Sequence, residues 1–155
     1  MVKSYRGVQA APEVEKEAQK VTVADYMSTR LITFRPEQSI DEVINVLLKN
    51  KISGGPVVDE NNQLCGVISE GDCLKEVVRG KYNNSPNMSG TVADHMAKEV
   101  ITIAPETNIF DAAQKFLTLK IRRFPVLRHG QLVGQISQKD IMKAVVSLQG
   151  ETWGY

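Results

Sequence analysis

The stretch VTVADYMSTRLITFRPEQSI at residues 21–40 is answered by GTVADHMAKEVITIAPETNI at residues 90–109, and this duplication constrains the chain more than any other feature. At a spacing of 69 residues, Val23, Ala24, Asp25 and Met27 return as Val92, Ala93, Asp94 and Met96. Ile32-Thr33 and Pro36-Glu37 return as Ile101-Thr102 and Pro105-Glu106, and Pro56-Val57 returns as Pro125-Val126. One residue is then lost, after which Gly66, Ile68, Ser69 and Asp72 return as Gly134, Ile136, Ser137 and Asp140. The deletion falls in a polar turn, where shortening leaves the flanking register intact.

Each copy parses into the same elements. A capped turn (Thr22-x-x-Asp25, Thr91-x-x-Asp94) leads to a strand at 31–34 or 100–103 that stops before a proline. A helix follows, whose apolar positions Ile40, Val43, Ile44, Leu47 and Leu48 match Ile109, Ala112, Ala113, Phe116 and Leu117 and are predicted to form one buried face. Two strands around a polar turn come next, at 56–59 and 64–69, then at 125–128 and 132–137. A second helix closes each copy. The fold class is therefore α+β, with the order strand, helix, strand, strand, helix written twice. A three-stranded sheet covered on one face has little core of its own, so the copies are expected to need one another. The predicted organisation is a polar segment at 1–20, repeat 1 at 21–80, a Gly- and Pro-marked linker at 81–90, repeat 2 at 91–147 and a tail at 148–155.

Composition narrows the class. At 42% hydrophobic residues in 155, a disordered reading is excluded. No run approaches the roughly 20 apolar residues needed to cross a bilayer, and the first 20 residues lack the apolar core of a signal peptide, so a cytoplasmic protein without membrane contact is expected. Cys65 and Cys73 are expected to be free thiols, the first in the core and the second packing a helix. The net charge of +1 gives no overall pull toward nucleic acid, but the charge is unevenly spread. Residues 22–74 hold 4 Lys/Arg against 8 Asp/Glu, and residues 91–142 hold 7 against 5.

The repeated Ser-x-x-Asp stands where a strand runs into a helix, and the first backbone N–H groups of such a helix are free to meet an anion or hydroxyl. Asp72 or Asp140 could accept from the diol of a ribose, and Ser69 or Ser137 could donate to a ligand oxygen. The same spacing also makes an ordinary capping box. Arg122 and Arg123, just before the middle strand of the second copy, offer bidentate phosphate contacts or are simply solvated. In the first copy that place is Ser53-Gly54, so the copies have diverged. Gly54-Gly55 read as a turn into the strand or as a place for close ligand approach, and Thr33 and Thr102 as β-formers or as part of a ligand wall.

Taken together, the opening T-V-A-D-x-M, the I-T-x-x-P-E strand end, the P-V-V or P-V-L strand and the doubled Gly-hydrophobic-Ser-x-x-Asp resemble the CBS-domain family, named for cystathionine β-synthase. The resemblance covers about residues 21–147 and implies a tandem pair with approximate twofold symmetry, assembled as a homodimer. It further implies a regulatory module that binds AMP, ADP, ATP or a related adenosyl ligand in the cleft between the repeats and signals to a separate, unidentified protein. The ligand positions it implies are Thr33, Gly54, Gly55, Pro56, Ser69, Asp72, Thr102, Arg122, Arg123, Phe124, Pro125, Ser137 and Asp140. An interaction or oligomerisation module without ligand is the alternative.

Enzymatic chemistry is not expected. His95 and His129 lie far apart without a second ligand at metal spacing and read as surface residues, and neither cysteine has an activating base beside it. No phosphate loop, dinucleotide fingerprint or nucleophile elbow occurs, and no cofactor is required. Nucleic-acid binding through Lys120, Arg122, Arg123 and Arg128 is disfavoured by the near-neutral charge and the scarcity of interleaved aromatics. Residues 13–20 suit a short charged helix, and the terminal Trp153 and Tyr155 suit docking or an expendable tail.

Overall fold

The computed structural model describes residues 21–82 and 89–152. The charged helix expected at 13–20, the middle of the linker and the terminal aromatics lie outside the described residues. In order, the elements are α1 (Val23–Tyr26), α2 (Ile40–Asn50), β1 (Gly54–Val58), β2 (Leu64–Ser69), α3 (Glu70–Tyr82), α4 (Val92–His95), α5 (Ile109–Leu119), β3 (Arg123–Arg128), β4 (Gln131–Ser137) and α6 (Gln138–Thr152). Among the described residues no helix is long and apolar enough to cross a membrane. α6 runs through the expected tail to Thr152 and buries Leu148, and α3 runs past the expected repeat boundary to Tyr82.

The chain forms two compact units that do not follow the sequence halves. One contains residues 30–101 and 129–132, the other residues 21–29, 102–128 and 133–152. The capped turns are thus exchanged: α4 completes the unit built on the first repeat, and α1 completes the unit built on the second. The exchange is fixed by backbone hydrogen bonds of the same kind in both. Val92 and Ala93 donate to Gln38 O and Pro36 O at 2.9 Å each, and Val23 and Ala24 donate to Thr107 O and Pro105 O at 2.8 and 3.0 Å. Each turn then sinks one valine into a core it does not adjoin in sequence, Val92 beside Phe34, Ile40 and Ile68, and Val23 beside Ile103, Ile109 and Ile136.

In the first-repeat unit, β1 and β2 pair antiparallel with Gly54 opposite Ser69 and Gly55 opposite Ile68. Val58 pairs with Leu64 after Val57 pairs with Gly66, so Cys65 is the extra residue of a bulge. In the second repeat, β3 pairs with β4 through the two-residue turn His129-Gly130, both at positive φ (53° and 80°). That geometry closes a hairpin without splaying its strands.

The third strand expected in each sheet shrinks to a single parallel bridge, Phe34 to Val57 and Ile103 to Val126. Phe34 N donates to Pro56 O and Val58 N to Phe34 O, both at 2.9 Å. The next rung would need an N–H from Pro56, and in the other unit from Pro125, and proline has none. The prolines of the P-V-V and P-V-L strands therefore stop the ladder on that side.

The predicted buried helix face is one position too wide. Ile40, Val43 and Leu47 are buried, as are Ile109, Ala112 and Phe116, but Leu48 is 72% exposed and Leu117 is 77% exposed. α2 and α5 end in the left-handed residues Lys51 and Lys120 (φ 55° and 54°), and Ser39 and Asn108 cap their starts by accepting from Glu42 N and Asp111 N.

Candidate functional site

Each Ser-x-x-Asp corner is built where the last residue of a strand becomes the cap of a helix. Ser69 ends β2, and its N–H and hydroxyl both donate to Asp72 Oδ2 at 2.9 Å, while Asp72 N donates back to Ser69 Oγ at 3.3 Å. Ser137 and Asp140 repeat the arrangement at 2.9, 3.0 and 3.3 Å. These are closed capping boxes, worth roughly 1 kcal/mol each to the helices they start. The serine hydroxyl proton, expected to reach a ligand oxygen, is committed to the aspartate, so each corner presents its outer carboxylate oxygen instead.

The two corners differ in what holds that oxygen. Lys75 Nζ lies 3.4 Å from Asp72 Oδ1, whereas among the described residues no partner sits on Asp140 Oδ1. The leading amide of α3 is also taken, since Glu70 N donates to Ser53 O at 2.9 Å. At the second corner Gln138 Nε2 donates to Ile121 O at 3.3 Å, tying the start of α6 to the segment that carries Arg122 and Arg123. Both arginines are exposed, Arg123 as the first residue of β3, and no ion pair involves either among the described residues.

Thr33, Gly54, Gly55, Pro56, Ser69 and Asp72 fall in one unit, and Thr102, Arg122, Arg123, Phe124, Pro125, Ser137 and Asp140 in the other. Gly54 and Gly55 are strand residues, not a turn. A Cβ on Gly54 would lie 2.5 Å from Ile68 O, and one on Gly55 would lie 2.9 Å from Ile32 O and 3.0 Å from the Phe34 ring, so neighbouring backbone and a core aromatic explain both glycines. Phe124 is fully buried with its ring centroid 4.6 Å from that of Phe116, so its side chain serves the core. Pro56 and Pro125 are buried too, Thr33 is exposed and Thr102 half-buried. Cys73 is buried and Cys65 half-buried; burial raises both thiol pKa values, which makes them poor nucleophiles.

One polar cluster has no precedent in the spacing arguments. Glu76, on α3 one turn beyond Asp72, is fully buried. Arg79 grips it bidentately (Nε to Oε1 2.8 Å, Nη2 to Oε2 2.6 Å), Gly90 N donates to Oε2 at 2.8 Å, and His95 Nε2 lies 2.8 Å from Oε1. The Arg79 hydrogen bond, then His95 and the Gly90 amide, outweigh burial and hold the Glu76 carboxyl at about 2. The side chain of His95 is only 14% exposed, which corrects its reading as a surface residue. The clue available in the sequence was the mismatch between copies, since Glu76 corresponds to Ala144.

Comparison with known proteins gives these features a context. The model of the CBS domain matches residues 23–79 and 92–147. The chloroplastic CBS domain-containing protein CBSX2 of Arabidopsis thaliana is 29% identical over 84% of this chain and 66% of its own length, and the Methanocaldococcus jannaschii protein MJ1225 is 29% identical over 86% and 44%. The chain thus spans about two-thirds or less of these relatives. The crystal structure of CBSX2 in complex with AMP is matched with a TM-score of 0.72 at 31% identity, covering 83% of this chain and 98% of that one. The CBS domain pair of protein MJ0100 in complex with 5′-methylthioadenosine and S-adenosyl-L-methionine is matched with a TM-score of 0.66 at 27% identity, covering 82% and 97%.

Proposed function

Because the chain belongs to the CBS-domain family, we propose that it is a regulatory module that binds an adenine nucleotide or related adenosyl ligand and signals to a separate protein, with no catalytic step of its own. The observation that carries this reading is the doubled Ser-x-x-Asp corner in a chain whose structural relatives were solved with AMP and with 5′-methylthioadenosine and S-adenosyl-L-methionine. The corner of Ser137 and Asp140 is the principal binding element: its outer carboxylate oxygen accepts from ribose hydroxyls, Arg122 and Arg123 supply cations for phosphate, and Thr102 borders the base. Thr33, Gly54, Gly55, Pro56, Ser69 and Asp72 form the weaker counterpart, and Phe124 and Pro125 act through their backbone. A thermal-shift panel of AMP, ADP, ATP and S-adenosylmethionine tests the reading. A concentration-dependent rise in Tm with at least one is expected, and none with any would overturn it.

For the first corner alone, a purely structural role is favoured by the Lys75 contact to Asp72 and the absence of an arginine pair in Ser53-Gly54.

The module works as a homodimer in a reducing compartment such as the cytoplasm. The compartment is supported by the two free thiols. The dimer is supported by apolar residues left open at matching places in both units, Leu48 and Leu117, Leu74 and Met142, Val78 and Val146. Sedimentation of Leu117→Glu should show a monomer where the unaltered protein shows a dimer; a monomeric unaltered protein rules the assembly out.

A further inference from the structure

We infer that Glu76, Arg79 and His95 form a releasable latch on the chain segment that re-enters at Ser89-Gly90, a charged substitute for a site that the other unit fills with apolar side chains. The inference does not depend on the ligand reading. Through the repeat, Glu76, Gly90 and His95 correspond to Ala144, Val21 and Tyr26. Ala144 lies in the core of its unit, and Val21 and Tyr26 pack against that core. A Cβ on Gly90 would collide with the Glu76 carboxylate, so glycine beside glutamate and valine beside alanine are two complete solutions to one packing problem.

The backbone attachments around the two solutions are equivalent. Ile40 N donates to Gly90 O at 3.1 Å and Ile109 N to Val21 O at 3.2 Å, and each turn has the matching amide bonds already described. The difference between the units therefore resides in the side chains. Opening the apolar version exposes hydrophobic surface, at a cost proportional to its area. Opening the charged version returns ions to water, and the hydration regained offsets part of the lost attraction. Water already has a path, since Arg79 is 40% exposed and its Nη2 also donates to the hydroxyl of the exposed Ser89 at 3.3 Å. Asp94 faces the same cluster and adds a second negative charge beside Arg79. The segment from Ser89 to Thr91 is thus held by contacts that can be undone locally, whereas its twin is held by contacts that yield only with the core; Val92, as buried as Val23, stays with its own core.

Native-state hydrogen exchange on the full chain, followed at low denaturant, tests the latch. In the unaltered protein the amides of Gly90 and Thr91 should exchange through a local opening that denaturant barely changes, while those of α2 follow global unfolding. Glu76→Gln should speed exchange at Gly90 and Thr91 about tenfold and leave α5 unchanged. The triple variant Glu76→Ala, Gly90→Val, His95→Tyr, which writes the second solution into the first unit, should slow the segment about tenfold and make it follow α2. Should Glu76→Gln fail to fold, the triple variant carries the test. Exchange at Gly90 and Thr91 that tracks global unfolding in the unaltered protein overturns the latch. So does a triple variant that exchanges no more slowly or cannot fold, because the two solutions would then not be interchangeable.

Discussion

The ring of Phe34 lies over Gly55, so closely that a Cβ on Gly55 would stand 3.0 Å from Cε2 of the ring. In the other unit the same two places hold Ile103 and Phe124, the bulk having moved from the bridge residue to the neighbouring strand. At this pair of positions each core thus receives one aromatic, from the bridge residue in one and from the neighbouring strand in the other. Gly55→Ala alone should cost about 1–3 kcal/mol by overpacking, and Phe34→Ile alone about 1–3 kcal/mol through the space it leaves. The double variant should lose less than the sum by at least about 0.5 kcal/mol, as urea unfolding would reveal; strict additivity would mean the ring and the glycine are not coupled.

The Glu76 carboxyl, held at about 2 against an ordinary value of 4.5, makes the first-repeat unit sensitive to acid. A folded pKa below the unfolded one contributes stability that is fully present above about pH 4.5 and disappears as the pH falls toward 2. Stability measured against pH should therefore decline over that window, and Glu76→Gln should flatten the decline. An unchanged acid profile in the variant would assign the loss to other carboxylates.

Gly66 and Gly134 hold the same place in the two units but meet different obstacles. A Cβ on Gly66 would lie 2.5 Å from the backbone oxygen of Ala97, whereas one on Gly134 would first meet the sulfur of Met27, also at 2.5 Å. A carbonyl that bonds Val67 N at 3.0 Å cannot yield, and a thioether can rotate away. Both alanine variants should be destabilised, Gly66→Ala by about 2–3 kcal/mol and Gly134→Ala by about 1 kcal/mol less. Equal losses in thermal unfolding would contradict that ordering.

For ligand binding, calorimetry should separate the two corners. Asp140→Asn and Arg123→Ala should each weaken the best nucleotide of the panel by about tenfold or more. Asp72→Asn should change it less than threefold, given the Lys75 contact at its outer oxygen. Equal losses at Asp72 and Asp140 would make the sites equivalent.

The repeat made much of this architecture readable in advance. Matching Val23 with Val92 and Ser69 with Ser137 located the capped turns, the helices and both corners, because each is a local pattern of polar cap and apolar period. Three features escaped for reasons that are not local. The one-residue bridge at Phe34 depends on an N–H that Pro56 lacks, a rule visible in the sequence only once the strands are known to be neighbours. The exposure of Leu48 and Leu117 follows from where the helix rolls on its unit, which periodicity fixes only to within a residue. The burial of His95 depends on Glu76, a charge on an otherwise apolar helix side, and only the pairing of α3 with α4 brings them together.

The exchanged turns also set a timetable for synthesis. The core around Phe34 and Ile68 lacks Val92 until the start of the second copy has left the ribosome, so the first half emerges with a gap that its own sequence cannot fill. Val23, made among the earliest of the described residues, has to wait for Ile103, Ile109 and Ile136 before it is covered. A chain cut between the copies would release two fragments, each holding the other's missing piece. The duplication is therefore not two domains in series but a mutual debt, settled only when both ends have been translated.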